Sequence, residues 1–99
     1  MQREGAVAMA DNRYLDPMGD IIAIAREFIS PAGASVTVRK YVRSYRAWLA
    51  QQGFVESDIA VAFRRLHGQL SDALQSDQPD NNDFTKFVFR EAIDELKVG

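Results

Sequence analysis

Apolar residues recur every three or four positions along four segments of this chain, with polar residues at the positions between them. This spacing is typical of an α-helix with one apolar face. The predicted helices span residues 17–29, 36–52, 57–75 and 83–97. Their short connections favour antiparallel neighbours. The pattern therefore predicts an all-α fold, a compact antiparallel bundle of four helices whose apolar faces close around one core.

The boundary between the first two predicted helices depends on one proline. Ser30 precedes Pro31, and a residue before proline avoids the helical region of backbone space. We therefore expect the first helix to end here and residues 31–34 to form a turn. Ser35 or Thr37 would then cap the second helix.

The other boundaries follow common helix-start and helix-stop signals. Asp16 followed by Pro17 suits the start of the first helix, since aspartate is a good N-cap and proline is tolerated next. Gly53 is a favourable stop for the second helix, and Ser57 a favourable cap for the third. Residues 36–38 have β-strand character, but the helical period that follows them favours helix.

Length and composition indicate one small globular domain. We expect the 99 residues to form a single domain at 14–99, preceded by a flexible tail at 1–13. The chain is 46% hydrophobic and 26% charged, which is ordinary for a folded protein. It has no cysteine, so it forms no disulfide and no thiolate metal site. No apolar run approaches the roughly 18 residues of a membrane span, and we expect a cytoplasmic protein that binds no membrane.

Charge is unevenly distributed along the chain. Residues 36–70 hold six basic residues against two acidic ones, whereas residues 71–99 hold seven acidic against three basic. The net charge of -2 hides this asymmetry. Because an uneven field steers the approach of charged molecules, we expect a charged partner.

The second helix has the most distinctive basic pattern. Arg39, Arg43 and Arg46, here called the arginine row, are four and three positions apart and lie on one line along the helix, flanked by Lys40. One interpretation is a contact for an anionic partner, such as an acidic protein surface or a phosphate backbone. The alternative is a solvated face whose arginines form local ion pairs.

Two aromatic residues are candidate anchors for a partner. Phe87 falls off the apolar face of the last helix, among charged residues, and Trp48 lies at the edge of its helix face. Exposed aromatic side chains are enriched among the residues that contribute most to protein interfaces. The alternative is that each ring lies over a neighbouring helix in its own chain.

Metal and cofactor sites find little support in the sequence. A calcium loop starting at Asp80 would place Phe84 and Thr85 where the loop needs an oxygen ligand and a glycine. His67 is the only histidine, so it has no second imidazole with which to bind a metal, and we expect it to lie partly exposed beside the core. No phosphate-binding or hydrolase motif occurs, and we predict no metal and no cofactor.

Catalysis is equally unsupported. Glu91, Asp94 and Glu95 cluster on the last helix, where we expect them to be open to solvent. Catalytic carboxylates usually require burial or a close like charge. We therefore predict that the chain is not an enzyme.

The favoured function is a small protein–protein interaction module, a regulator, adaptor or inhibitor, without chemistry of its own. We expect it to bind a partner protein with an acidic surface through Arg39, Lys40, Arg43 and Arg46, with Trp48 and Phe87 as anchors. A homodimer is a related hypothesis, since a basic helix and an acidic helix could pair between copies. The alternative function is a nucleic-acid-binding regulator that uses the same basic face.

Overall fold

The computed structural model describes residues 16–27, 30–76 and 82–98. These residues contain four helices: α1 (Pro17–Glu27), α2 (Pro31–Gln51), α3 (Glu56–Leu74) and α4 (Asp83–Val98). No strand occurs among the described residues, and residues 36–38 are helical. The all-α bundle predicted from the apolar period is confirmed. The predicted tail at 1–13, the end of the first helix at 28–29 and the start of the rejected calcium loop at Asp80 lie outside the described residues.

The start of α2 differs from the prediction. Ser30 is the N-cap of this helix, with an extended backbone, and its hydroxyl accepts a hydrogen bond of 3.3 Å from the Gly33 N–H. Pro31 occupies the first helical position, where its missing N–H costs nothing. The predicted turn at 31–34 and the predicted caps Ser35 and Thr37 are therefore wrong. The extended conformation that proline imposes on Ser30 opens a helix as readily as it closes one.

The remaining boundaries show one further error. Asp16 Oδ1 accepts a hydrogen bond from the Gly19 N–H at the start of α1, as a capping aspartate should. Gly53 follows the end of α2 with a φ of +94°, a conformation that favours glycine. Ser57, however, does not cap α3. That helix begins one residue earlier, with Val55 at the N-cap and no side-chain hydrogen bond there.

The core is formed by the apolar faces of all four helices. α4 packs against each of the other three helices, most extensively against α2. Its buried residues meet those of α2 and α3 in one cluster. The largest side chains with less than 2% exposure are Ile21, Val38, Val42, Leu66, Leu70 and Val88. α2 and α4 share the most extensive contact of the bundle. The side chains of α4 at the edge of this contact therefore determine which partners the basic residues of α2 have.

Candidate functional site

Arg39 lies at the contact between α2 and α4, where its guanidinium group meets three carboxylates. Nε and Nη2 donate to Oε1 of Glu91 at 3.2 and 3.1 Å. Nη1 donates to Oε1 of Glu95 at 3.3 Å, and Nη2 lies 3.5 Å from Oδ2 of Asp94. The side chain of Glu95 is only 10% exposed to solvent, and that of Arg39 is 29% exposed. These residues, together with Ser35, are called the Arg39 cluster below.

Hydrogen bonds set the charge state of the Arg39 cluster. The Ser35 hydroxyl donates to Oε1 of Glu91 at 2.5 Å, and this bond is the main cause that lowers the pKa of Glu91. Burial opposes the shift, while the bonds and charge of Arg39 add to it. For Arg39 itself, burial acts to lower the pKa, but its carboxylate partners outweigh burial and raise it. Both groups are thus held in their charged forms.

The other two members of the arginine row also have partners within the chain. Nη1 of Arg43 lies 3.5 Å from Oε2 of Glu95, although the Arg43 side chain remains 60% exposed. Nη2 of Arg46 lies 2.7 Å from Oε1 of Glu56 at the start of α3. The Arg46 guanidinium carbon also lies 5.5 Å from the centre of the Phe63 ring, within the range of a cation–π contact. The arginine row therefore joins α2 to α4 and α3.

This arrangement corrects the expectation that the carboxylates of α4 are open to solvent. Glu95 is buried and the Glu91 side chain keeps 20% of its exposure, while only Asp94 is mostly exposed. The basic face of α2 and the acidic face of α4 meet within one molecule. Of the predicted basic contact residues, Lys40 is exposed and has no ion-pair partner among residues 16–27, 30–76 and 82–98.

The two predicted aromatic anchors are not the exposed side chains that the sequence suggested. Phe87 and Trp48 are both half-buried and pack against the core. The centre of the Phe87 ring lies 6.4 Å from the centre of the Phe84 ring, one turn earlier on α4. Each ring thus covers its own core, which is the alternative stated for both residues.

A different set of large apolar side chains is exposed among the described residues. Val36 near the start of α2 is 66% exposed, Phe54 and Val55 in the turn before α3 are 44% and 59% exposed, and Val61 on α3 is 46% exposed. Val61 could have been recognised from the sequence, because it falls outside the apolar period of its helix. Phe54 and Val55 could not, since a turn has no period that separates its exposed positions from its buried ones.

Two arginines adjoin the exposed apolar residue of α3. Arg64 and Arg65 are three and four positions after Val61, so the three side chains share the outer face of this helix. Both arginines are exposed and neither forms an ion pair in the described part of the chain. Val61, Arg64 and Arg65 are called the α3 surface below.

The described residues contain neither a cluster of metal ligands nor a helix that could span a membrane. Over 16–27, 30–76 and 82–98, no three histidine, aspartate or glutamate side chains are arranged to hold a metal ion. None of the helices α1–α4 combines the length and the apolar character that crossing a bilayer requires.

Comparisons with protein families, curated proteins and solved structures find no match to this chain.

The lowered pKa of Glu91 predicts a pH dependence of stability. At pH 7, Glu91→Gln is expected to lower the free energy of unfolding by about 1 kcal/mol, because hydrogen bonds to a charged group are lost. The native pKa lies below the unfolded one. The stabilisation is therefore complete above the ordinary glutamate range, about pH 4.3, and is lost as the pH falls through and below it. Urea unfolding of both proteins between pH 3 and 7 measures the difference. A difference that stays constant over this range would contradict the role of the Glu91 charge.

Proposed function

We propose that this chain is a non-enzymatic protein-interaction module that binds an acidic partner protein through the α3 surface. The arginine row is occupied by carboxylates of the same molecule, so the contact proposed here moves from α2 to α3. The observation that supports this most strongly is the adjacency of Val61 to Arg64 and Arg65 on one exposed face. In this proposal α2 and α4 form a rigid support, and α3 presents the contact.

Apolar and arginine side chains together are typical of protein contacts. An apolar side chain contributes by leaving water, and arginine contributes planar, bidentate hydrogen bonds to carboxylates. Arginine is also enriched among the residues that dominate binding energy. The charge of Arg64 and Arg65 complements an acidic partner, and it would act mainly on the association rate and the orientation of the complex.

The nucleic-acid alternative is less well supported by this face. Asp58 is exposed in the first turn of α3, three positions before Val61 and seven before Arg65, so it lies on the same face. A phosphate backbone lying along this face would meet the Asp58 carboxylate as well as the arginines. A protein partner accommodates both signs of charge, because its own surface carries both.

Site-specific cross-linking tests the proposal. A photoreactive phenylalanine analogue at position 61 is expected to cross-link a partner protein in host cells, while the same analogue at Ala47, exposed on α2, is not. The cross-linked protein is then purified for binding measurements. Val61→Glu should weaken its binding at least about tenfold, since a charge replaces an apolar contact. Lys40→Glu is the matched surface control, with an expected change below about twofold.

Three outcomes would overturn the proposal. Equal cross-linking from positions 61 and 47 would mean that α3 is not the contact. Cross-links only between copies of the chain would indicate a homodimer instead. Cross-links to nucleic acid that disappear with Arg64→Glu would favour the alternative function.

A further inference from the structure

A small cavity opens between α3 and α4, beside the α3 surface. It has a volume of about 140 Å³ and is lined by Phe63, Arg64 and His67 from α3 and by Leu96 and Lys97 from α4. Phe63 and Leu96 are buried and form its apolar base. Arg64 and Lys97 are exposed and His67 is half-buried, so the polar side chains around the opening carry nitrogen donors. No carboxylate is among these lining residues.

The basic side chains around the cavity form no ion pair with the described residues. Neither Arg64 nor Lys97 forms an ion pair within 16–27, 30–76 and 82–98. Arg90 lies seven positions before Lys97 and therefore on the same side of α4, and it too has no ion pair there. Of the α4 carboxylates that bind Arg39, Glu91 and Glu95 face α2, whereas Asp94 is 60% exposed and lies three positions before Lys97 on the outer side of α4. The residues that line the cavity nevertheless include bases and no acid.

The size of the cavity limits what it can hold. Pockets for small molecules usually measure about 300–1,000 Å³, so this one is too small for most of them. An apolar cavity of about 150 Å³ holds one benzene molecule, which is comparable to a single aromatic or branched aliphatic side chain. A phosphate group could bind the basic side chains at the opening, but it would not cover Phe63 and Leu96, which would stay in contact with water.

We propose that this cavity receives one apolar side chain of the partner protein, from a segment in which acidic residues flank that side chain. The apolar side chain covers Phe63 and Leu96, and the flanking carboxylates bind Arg64 and Lys97. The inference rests on the proposed function and extends it, because it specifies the sequence type that the partner presents. This segment of the partner is expected to lie next to the α3 surface, because Arg64 belongs both to that surface and to the lining of the cavity.

A designed peptide that carries only the two proposed recognition features tests this site. The probe is an acetylated, amidated pentapeptide in which one leucine is flanked on each side by two glutamates. Two control peptides replace the leucine by serine or all glutamates by glutamines. Titration of the ¹⁵N-labelled full chain should shift the amide signals of residues 63–67 and 96–97 with the probe, and much less with either control.

Charge-reversal variants connect the peptide to the cavity. Arg64→Glu and Lys97→Glu should each weaken peptide binding at least about tenfold, since each replaces an attraction by a repulsion. Lys40→Glu makes the same charge change on α2 and should leave binding within about twofold. Because these side chains are exposed, all three variants are expected to retain the helical circular dichroism of the parent chain.

The possible results separate this inference from the proposed function. Absence of binding by the probe, equal binding of the glutamine peptide, or equal weakening by Lys40→Glu would overturn the cavity assignment. Preferential displacement of the probe by short duplex DNA rather than by a longer acidic peptide would also overturn it. If the cavity fails these tests while Val61→Glu still weakens the cross-linked partner, the proposed function stands without it. If the peptide binds as described but Val61→Glu has no effect on the partner, only the cavity assignment stands.

Discussion

Leu70→Ala is expected to lower the free energy of unfolding by about 3 kcal/mol, within the 2–5 kcal/mol range typical of buried leucines. Leu70 lies on α3 with no exposed surface, in the cluster shared by all four helices. The substitution removes apolar contacts and leaves a cavity that helices joined by short connections close only in part. For a domain of this size the melting temperature should fall by roughly 10–20 °C. Urea unfolding followed by circular dichroism measures the effect.

Val61→Ala is the matched control on the same helix. Val61 is 46% exposed and alanine favours helix, so its effect should stay within about 0.5 kcal/mol. Equal losses for Leu70→Ala and Val61→Ala would mean that α3 does not pack through the face that contains Leu70. It would also remove the basis for treating Val61 as a surface contact.

Arg39→Met is expected to lower the free energy of unfolding by about 2 kcal/mol, more than any other substitution of a basic residue. Methionine keeps much of the length and apolar stem but removes every hydrogen bond that Arg39 donates to Glu91 and Glu95. Glu95 is buried, and a buried carboxylate that loses a partner is costly. The expected loss is below that of a fully buried ion pair because the Arg39 side chain keeps 29% of its exposure.

Lys40→Met provides the comparison for Arg39→Met. Lys40 is the next residue of α2, is exposed and has no ion pair in the described ranges, so the expected change is within about 0.5 kcal/mol. Thermal and urea unfolding at pH 7 measure both variants. A loss below about 0.5 kcal/mol for Arg39→Met would mean that the Arg39 cluster contributes no more than a surface ion pair.

The fold was predictable because local patterns determine most of it. Apolar residues at helical spacing locate the four buried faces, and Asp16 and Gly53 fix two boundaries through their own backbone chemistry. The start of α2 was missed for a physical reason. Ser30 and Pro31 form a sequence that ends one helix and begins another equally well, and only the hydrogen bond to Gly33 distinguishes the two.

The candidate site was less predictable, because it depends on which helices become neighbours. Helical spacing relates the three arginines of the row to one another, but Arg39 and Glu91 are 52 positions apart and their pairing follows only from the packing of α2 on α4. The same holds for Phe87, whose charged sequence neighbours suggested exposure although it packs against the core. Helical period identifies faces, and it does not identify what lies opposite each face.

A double-mutant cycle between Arg39 and Glu91 tests most directly whether the basic face of α2 is used inside the molecule. The free energy of unfolding is measured at pH 7 for the parent chain, Arg39→Met, Glu91→Gln and the combined variant. If the two side chains bind each other as described, the losses are non-additive by about 1–2 kcal/mol. If the losses add within about 0.3 kcal/mol, Arg39 and Glu91 act independently, and the arginine row is again available to a partner.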